Sequence, residues 1–288
     1  MSGIPMEVTA QSHTGMLRDH NEDNFLVDPK SGLCMVADGM GGHLAGEVAS
    51  KLCVDTIHAR LMGTLQTGGA DVEAVRRAVG DAIEAANREI RISAKATQER
   101  ANMGTTLALL LPCQDQIIVA HVGDSRVYRL RDGHLGPLTK DHSLLQEQVG
   151  AGFITNEEAR LSHNRNLVTR ALGVEDNVEP EIRVEAVRAG DIFLLCSDGL
   201  NTMVADADIE SVLSSLEANP PLAAKVLVNV ANDNGGQDNV TVALAWARQT
   251  AGSEAAATAV PVQAAAAAPS PGDERGLISR LFGWLFGK

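Results

Sequence analysis

Acidic residues stand at turns beside several short apolar stretches of this sequence, each next to a small or turn-forming residue. They are Glu22-Asp23, Asp38, Asp124, Asp198 and Asp238. If these turns converge in the fold, several carboxylates meet with few cations nearby, which is unfavourable unless bound ions share them. Hard divalent cations such as Mg²⁺ and Mn²⁺ take oxygen ligands. The pattern therefore predicts a site for divalent cations, although Asp-Gly and Asp-Asn pairs also mark ordinary turns.

To bring these residues together, the chain needs several strands that end on one side of the molecule. Apolar stretches at 33–37, 106–111, 117–122, 127–131, 192–196 and 240–245 predict strands. Asp132-Gly133 predicts a hairpin turn. Helical spacing predicts helices over 46–61, 72–90 and 223–230, the second beginning near Asp71. Consecutive strands joined by hairpins, with helices grouped between them, predict an α+β fold with antiparallel sheets.

The charge balance limits the partners. The chain has 288 residues and a formal net charge of −13, so it repels nucleic-acid phosphates and anionic lipids, and neither is predicted as a main partner. The four cysteines lie in or beside apolar stretches without a CxxC pair, which predicts buried, reduced thiols: Cys34, Cys53, Cys113 and Cys196. The first residues resemble no secretory leader, and no apolar stretch approaches the ~20 residues of a membrane span. These features predict a cytoplasmic protein.

Composition divides the chain into three parts. Residues 1–247 have the apolar content of one domain, whereas 248–272 are rich in Ala, Pro, Ser and Gly and predict a flexible linker. Residues 273–288 form an amphipathic segment with several large apolar side chains on one helical face: Leu277, Ile278, Leu281, Phe282 and Leu285. This segment predicts binding to a membrane surface or to a partner protein's groove, with docking on the first domain as a weaker alternative.

The order of the motifs identifies a family. SHTGMLRDHNEDNF, VADGMGGHLAGEVAS, MGTT, VGDSRVYRL, LTKDHS, LLCSDGL and GGQDNVTV occur in this order within roughly residues 8–247. Together they resemble the metal-dependent protein phosphatases, the type 2C serine/threonine phosphatases, in their bacterial form. The resemblance implies a four-layer αββα sandwich of two antiparallel β-sheets flanked by helices, with a two-metal site at one end.

The resemblance also implies roles for individual residues. The implied metal ligands are Glu22, Asp23, Asp38, the Gly39 carbonyl, Asp124, Asp198 and Asp238. Asp38 would bridge two Mn²⁺ or Mg²⁺ ions, and Asp124 would share a third, weaker ion with Asp198. In the acidic pair we favour Asp23, with Glu22 acting directly or through water. Arg18 matches the arginine that grips the substrate phosphate.

One position departs from the family pattern. Many eukaryotic members have a histidine directly after Asp-Gly, and this histidine is the usual candidate for the general acid. Here Met40 occupies that position and His43 follows three residues later, as a predicted substrate contact or a turn residue. The other seven histidines show no ligand spacing, which favours structural or exposed roles. Residues of about 142–168 correspond to the family's variable flap, with an ordinary surface helix-loop-helix as the alternative.

The implied function is hydrolysis of phosphoserine and phosphothreonine in proteins by a metal-activated water, without a covalent phosphoenzyme. This reaction would reverse the signalling of a cognate serine/threonine kinase, and the enzyme is expected to be a monomer. The alternative is a catalytically inactive module of the same fold, recruited through its C-terminal segment. A nucleotide-binding protein is disfavoured, because the glycine-rich stretch 38–46 lacks the Lys-Ser/Thr ending of a P-loop.

Overall fold

A computed structural model describes residues 4–41, 45–65, 71–100, 102–155, 158, 162 and 167–248. The strands are β1 (Met6–His13), β2 (Asp23–Asp28), β3 (Leu33–Met40), β4 (Gly104–Thr105), β5 (Leu107–Cys113), β6 (Gln116–Val122), β7 (Arg126–Arg131), β8 (His134–Pro137), β9 (Glu181–Ala186), β10 (Ile192–Cys196) and β11 (Val240–Ala247). The helices are α1 (Ala45–Leu65), α2 (Val72–Ala96), α3 (Leu144–Gly150), α4 (Asp198–Asn201), α5 (Asp206–Ser215) and α6 (Pro220–Asp233).

The strands form two antiparallel sheets. One has the order β1-β11-β10-β7-β8, and the other has the order β2-β3-β5-β6-β9 with β4 added beside β3. In the second sheet the register of β2 and β3 places Asp23 opposite Asp38. The two residues therefore lie side by side at one end of this sheet.

Alternation along the strands explains the layers. On β3, Leu33, Met35 and Ala37 belong to the core cluster that includes α1 and α2, whereas Cys34 and Val36 belong to the cluster between the two sheets. Helix α6 packs on β1 and β11 from the other side of the molecule. The predicted α+β class and the four-layer αββα sandwich implied by the family resemblance are confirmed.

Local chemistry accounts for two of the predicted boundaries. The Asp71 side chain accepts a hydrogen bond from the Ala74 N–H and so caps the start of α2. Asp132 and Gly133 have φ angles of 54° and 77°, both in the left-handed region that a two-residue hairpin turn requires, and they join β7 to β8.

Strand β3 is longer than predicted. It continues beyond Ala37 to Met40, because Gly39 and Met40 pair with the short strand β4, which the apolar pattern did not reveal. Asp38 therefore lies within a paired strand and not in a free turn. Its backbone is fixed on both sides by neighbouring strands.

The first and last described parts of the domain meet at one sheet edge. Met6 pairs with Ala247 across β1 and β11, and the Arg248 N–H donates to the Pro5 carbonyl at 2.9 Å. The predicted linker, apart from Arg248, and the predicted C-terminal segment lie outside the described residues. None of the helices within the described ranges is both long and apolar enough to cross a membrane.

Candidate metal centre

The structure brings the predicted acidic residues together at one end of the sandwich. Asp23 begins β2, Asp38 lies near the end of β3, Asp124 follows β6, Asp198 begins α4, and Asp238 precedes β11. Asp23 and Asp124 are each only 7% exposed. Asp38 lies close enough to the other four carboxylates to be affected by the charge of each of them.

Burial and mutual repulsion raise the pKa of four carboxyl groups in the cluster, those of Asp23, Asp38, Asp124 and Asp198. Burial is the largest cause and raises the pKa of Asp23 and of Asp124 to about 7, with a further contribution from Asp198 in both cases. Burial, assisted by the charge of Asp238, raises the pKa of Asp198 to about 6. The pKa of Asp38 lies well above its usual range for the same two reasons. The cluster thus holds more negative charge than the protein alone can stabilise.

Hydrogen bonds fix the backbone of Asp38. Its N–H donates to Thr106 Oγ1 at 3.0 Å, and its carbonyl accepts from the Thr106 N–H at 2.9 Å and from the Thr105 hydroxyl at 2.9 Å. Thr106 Oγ1 is itself 2.6 Å from Ser125 Oγ, next to Asp124. The strands therefore hold Asp38 and Ser125 in one connected network.

Asp23 gives the clearest sign that a cation fits here. The Ser197 hydroxyl donates to Asp23 Oδ2 at 2.8 Å, and Ser197 Oγ in turn accepts from the Thr241 N–H at 3.0 Å. The other carboxylate oxygen, Oδ1, is buried and has no partner at hydrogen-bond distance among the described residues. The Thr241 hydroxyl is near enough to lower the pKa of Asp23, but its Oγ1 lies at hydrogen-bond distance from Ser12 Oγ, 2.8 Å away. A buried carboxylate oxygen without a partner, among further carboxylates, matches the donor set that a hard divalent cation or its water ligand requires.

Glu22 and Gly39 lie against the start of α1. The Glu22 carbonyl accepts from the Ser50 hydroxyl at 2.6 Å and from the Gly39 N–H at 3.2 Å. A Cβ atom on Gly39 would come within 2.1 Å of the Gly46 carbonyl oxygen, so only glycine fits there. The Glu22 carboxylate approaches Gly46, and burial raises its pKa while the charge of Arg18 opposes the shift. Both acidic residues of the predicted pair therefore reach the site.

Arg18 lies at the open rim of the cluster. Its Nη2 atom donates to Asp238 Oδ2 at 2.7 Å, and its side chain remains half exposed. The predicted phosphate-binding arginine is thus adjacent to the acidic cluster and accessible. His43 lies outside the described residues, whereas Met40 ends β3 opposite Gly104. Of the predicted flap, the structure describes α3, capped by Ser143, and most of 156–166 lies outside the described residues.

Sequence reasoning missed the residue that joins the loops around the site. Asn239 is 6% exposed, and its Oδ1 accepts from the Glu22 N–H at 2.8 Å. Its Nδ2 donates to the carbonyls of Thr14 at 2.8 Å and of His20 at 2.9 Å. In the sequence Asn239 is only the residue after an acidic turn, and its partners are more than 200 positions away. No local pattern indicates such contacts.

The comparisons with known proteins agree with this geometry. The sequence model of the family Protein phosphatase 2C matches residues 13–244. The chain belongs to this family. The match covers β2 to β10, most of β11, the acidic cluster and the segment predicted as the flap, so the protein phosphatase 2C fold accounts for nearly all of the described domain.

Named bacterial serine/threonine phosphatases are similar to this chain over most of its length. The serine/threonine phosphatase stp of Listeria innocua is 38% identical over 242 residues, which cover 83% of this chain and 95% of that protein. The crystal structure of the serine/threonine phosphatase PstP/Ppp of Mycobacterium tuberculosis is 37% identical, covers 85% of this chain and 99% of that one, and has a TM-score of 0.77. A structure of the PstP catalytic domain in complex with 2 manganese ions is also 37% identical, with the same coverage and a TM-score of 0.74.

Proposed function

We propose that this member of the protein phosphatase 2C family hydrolyses phosphoserine and phosphothreonine monoesters in proteins, with Mn²⁺ or Mg²⁺ as cofactor. The observation that carries the proposal is the convergence of Asp23, Asp38, Asp198 and Asp238, with one buried oxygen of Asp23 left without a partner among the described residues. Without bound ions such a cluster destabilises the folded protein, so it is not expected in an inactive binding module. The names of the relatives, and the manganese ions in one of them, support the same interpretation.

We assign the metal-holding roles as the motifs predict. The proposed ligands are Glu22, Asp23, Asp38, the Gly39 carbonyl, Asp124, Asp198 and Asp238, for two ions and a third, weaker one. When bound, such ions supply a water of lowered pKa and positive charge that stabilises the oxygens of an in-line displacement. The number of ions and the preference between Mn²⁺ and Mg²⁺ are part of the proposal.

The chain's own contribution is to bind and orient the phosphate. Arg18 is held beside the cluster by Asp238, and its planar guanidinium can grip two phosphoryl oxygens at once. If Arg18 binds the phosphate in place of Asp238, the Asp238 carboxylate would be available to hold an ion. His43 is proposed as a further contact of the phosphorylated substrate. No side chain in this scheme forms a covalent bond to phosphorus.

The test is hydrolysis of a phosphothreonine peptide with Mn²⁺ or Mg²⁺ and with a chelator. We expect metal-dependent turnover that Asp38→Asn and Asp238→Asn abolish. Asp55→Asn is the matched control, because Asp55 is an exposed residue on α1 whose carboxylate pairs with Lys51. Undiminished turnover in Asp38→Asn would overturn the assignment. A wild-type protein inactive with both metals would favour the inactive module.

The proposal extends to the cellular setting. We expect a cytoplasmic monomer that takes part in signalling by reversing the action of a serine/threonine kinase, as the family resemblance implies. We also propose that residues 273–288 bind a partner protein's groove or a membrane surface. Size-exclusion chromatography tests the monomer. Co-sedimentation with liposomes, for the full chain against a chain ending at Gly272, tests the membrane arm, and equal partitioning would eliminate it.

A further inference from the structure

Two stacked histidines lie beside the turn that carries Asp124. His121 is on β6 and His142 follows β8, with ring centroids 4.5 Å apart and planes inclined by 25°. Glu181, opposite His121 in the sheet register, completes a group whose potential ligand atoms all lie within 4.8 Å of one another. Three potential ligands this close together are a candidate for a second metal site. The hydrogen bonds point to a different role.

The partners of each ring show where its proton lies. His142 Nδ1 accepts from the Gly123 N–H at 3.2 Å, so the neutral ring carries its proton on Nε2, which faces Glu181 Oε2 at 3.9 Å. Burial, with the neighbouring His121, lowers the pKa of His142 to about 4 and keeps the ring neutral. A metal at Nε2 would need the lone pair that this proton occupies. The Oε1 atom of Glu181 is, in addition, engaged by Arg183 at 2.8 Å.

The hydrogen bonds of His142 instead hold a turn. The His142 N–H donates to the Gly123 carbonyl at 2.9 Å, so one residue binds both backbone groups of Gly123. Gly123 has a φ of +99°, and a Cβ there would lie 2.7 Å from Thr106 Cγ2, so the turn has little freedom of its own. On its far side, Arg126 forms two hydrogen bonds with Asp141, at 2.8 and 2.7 Å. Asp141-His142 thus clamps the turn 123–126 at both ends.

The same residue also closes the base of the following segment. The Thr169 N–H donates to the His142 carbonyl at 2.8 Å, and the Leu144 N–H donates to the Leu167 carbonyl at 3.0 Å. His142 therefore contacts the Asp124 turn through its ring and N–H, and the residues after the predicted flap through its carbonyl. His142 is therefore one direct connection between this base and the turn, beside the backbone pairing of Leu172 with Thr105.

We propose that His142 is a positioning residue. By binding both backbone groups of Gly123, it directs the Asp124 carboxylate towards Asp198, and it thereby sets the affinity of the site for the weakest-bound cation. This inference rests on the proposed function, because it takes Asp124 as a cation ligand. His142 itself touches neither substrate nor ion in this scheme.

Two substitutions at His142 separate the hydrogen bond from the ring. His142→Phe keeps an aromatic ring in the stack but removes the acceptor for Gly123, whereas His142→Asn places an amide oxygen near the position of Nδ1 and keeps it. His121→Phe is the matched control, because it loses a buried histidine bond, from Nε2 to the Lys140 carbonyl at 2.9 Å, without touching Gly123. All three are compared at equal folded fraction, checked by thermal melting.

The first readout is peptide turnover against Mn²⁺ concentration. We expect His142→Phe to raise the Mn²⁺ concentration for half-maximal activity about tenfold, the scale of losing one buried hydrogen bond. His142→Asn and His121→Phe should stay within about threefold of the wild type, as expected when the Gly123 acceptor is kept or untouched. Equal curves for His142→Phe and His121→Phe would refute the positioning role.

The second readout needs no activity. Hydrogen exchange of the Gly123 amide should be about tenfold faster in His142→Phe than in His121→Phe, because only the former removes its acceptor. If the wild-type protein hydrolyses no phosphopeptide with either metal, the proposed function fails while this exchange result still tests the clamp. Unchanged exchange in an active protein would reject the clamp alone.

Discussion

Asp23→Asn is expected to stabilise the metal-free protein, although it replaces a buried residue of the site. The pKa of Asp23 is raised from 3.8 to about 7, so the folded state binds this proton more tightly than the unfolded state. Asp23 therefore does not lower the stability of the wild-type protein below about pH 4, and it lowers that stability increasingly as the pH rises towards 7. At ~1.4 kcal/mol per pKa unit, about three units give a ceiling of about 4 kcal/mol.

About half of this ceiling should be observed. Asp38 and Asp23 influence each other's titration, so the proton belongs to the group and not to Asp23 alone. We expect the substitution Asp23→Asn to add about 2 kcal/mol in chelator at about pH 8, or roughly 4–8 °C in melting temperature. The Ser197 hydroxyl keeps an acceptor in the variant, because the amide oxygen can replace Asp23 Oδ2.

The assay is urea unfolding in EDTA at about pH 4.5 and pH 8, repeated with Mn²⁺. The gain should fall to about a quarter of its pH 8 value at about pH 4.5, because only the unfolded state has lost most of its proton there. Mn²⁺ should stabilise the wild type more than the variant, because the variant lacks a carboxylate that holds the ion in the folded state. Asp191→Asn is the control of opposite sign. Asp191 is 1% exposed, but Arg131 binds both its carboxylate oxygens at 2.7 and 2.6 Å, so the same substitution should cost about 3 kcal/mol or more. Equal stability of Asp23→Asn and wild type at pH 8 in EDTA would refute the repulsion argument.

Three further predictions concern the surroundings of the cluster. Arg18→Ala should lower kcat/KM for a phosphothreonine peptide about tenfold or more while changing the free energy of unfolding by less than ~1 kcal/mol. Arg18→Lys should restore only part of the lost kcat/KM, because an ammonium group cannot form the bidentate contact of a guanidinium. Full rescue by lysine in steady-state kinetics would contradict the bidentate contact. Asn239→Ala should destabilise the fold by about 2–4 kcal/mol in urea, since a buried N–H and two carbonyls lose their partner, and a loss below ~1 kcal/mol would show that water replaces it. Gly199→Ala should weaken activation by Mn²⁺ and lower the melting temperature, because its Cβ would lie 2.0 Å from the Asn239 carbonyl oxygen. Gly136→Ala is the control and should change neither quantity, because a Cβ there has open space around it.

The parts of the fold that follow from local patterns were predictable. The apolar stretch 192–196 matches β10, and helices α1, α2 and α6 lie where the apolar spacing places them. Buried central strands are rich in apolar residues because both their faces are covered. Strands β1 and β9, at sheet edges, mix exposed and half-buried residues, so their sequences lack this signal.

The carboxylates of the site were predictable for a chemical reason, but their supporting residues were not. Several acids beside apolar strand ends are costly without cations, so the sequence itself carries the signal. The contacts of Asn239 and of His142 are made to backbone groups, which every residue type offers. Only the folded chain shows which backbone groups these side chains meet. The extension of β3 through Asp38 depended in the same way on β4, two residues long.

The hydrogen bond from Arg248 to Pro5 makes the domain suitable for circular permutation. A bridge of a few residues between these two points would close the chain into a ring, because β1 and β11 already end side by side there. New ends could be opened at Asp132-Gly133, the tight turn between β7 and β8. Both changes lie at the end of the sheet opposite the acidic cluster. A ring opened at this turn would keep every strand pairing and free both termini for fusion or surface attachment without crowding the metal centre.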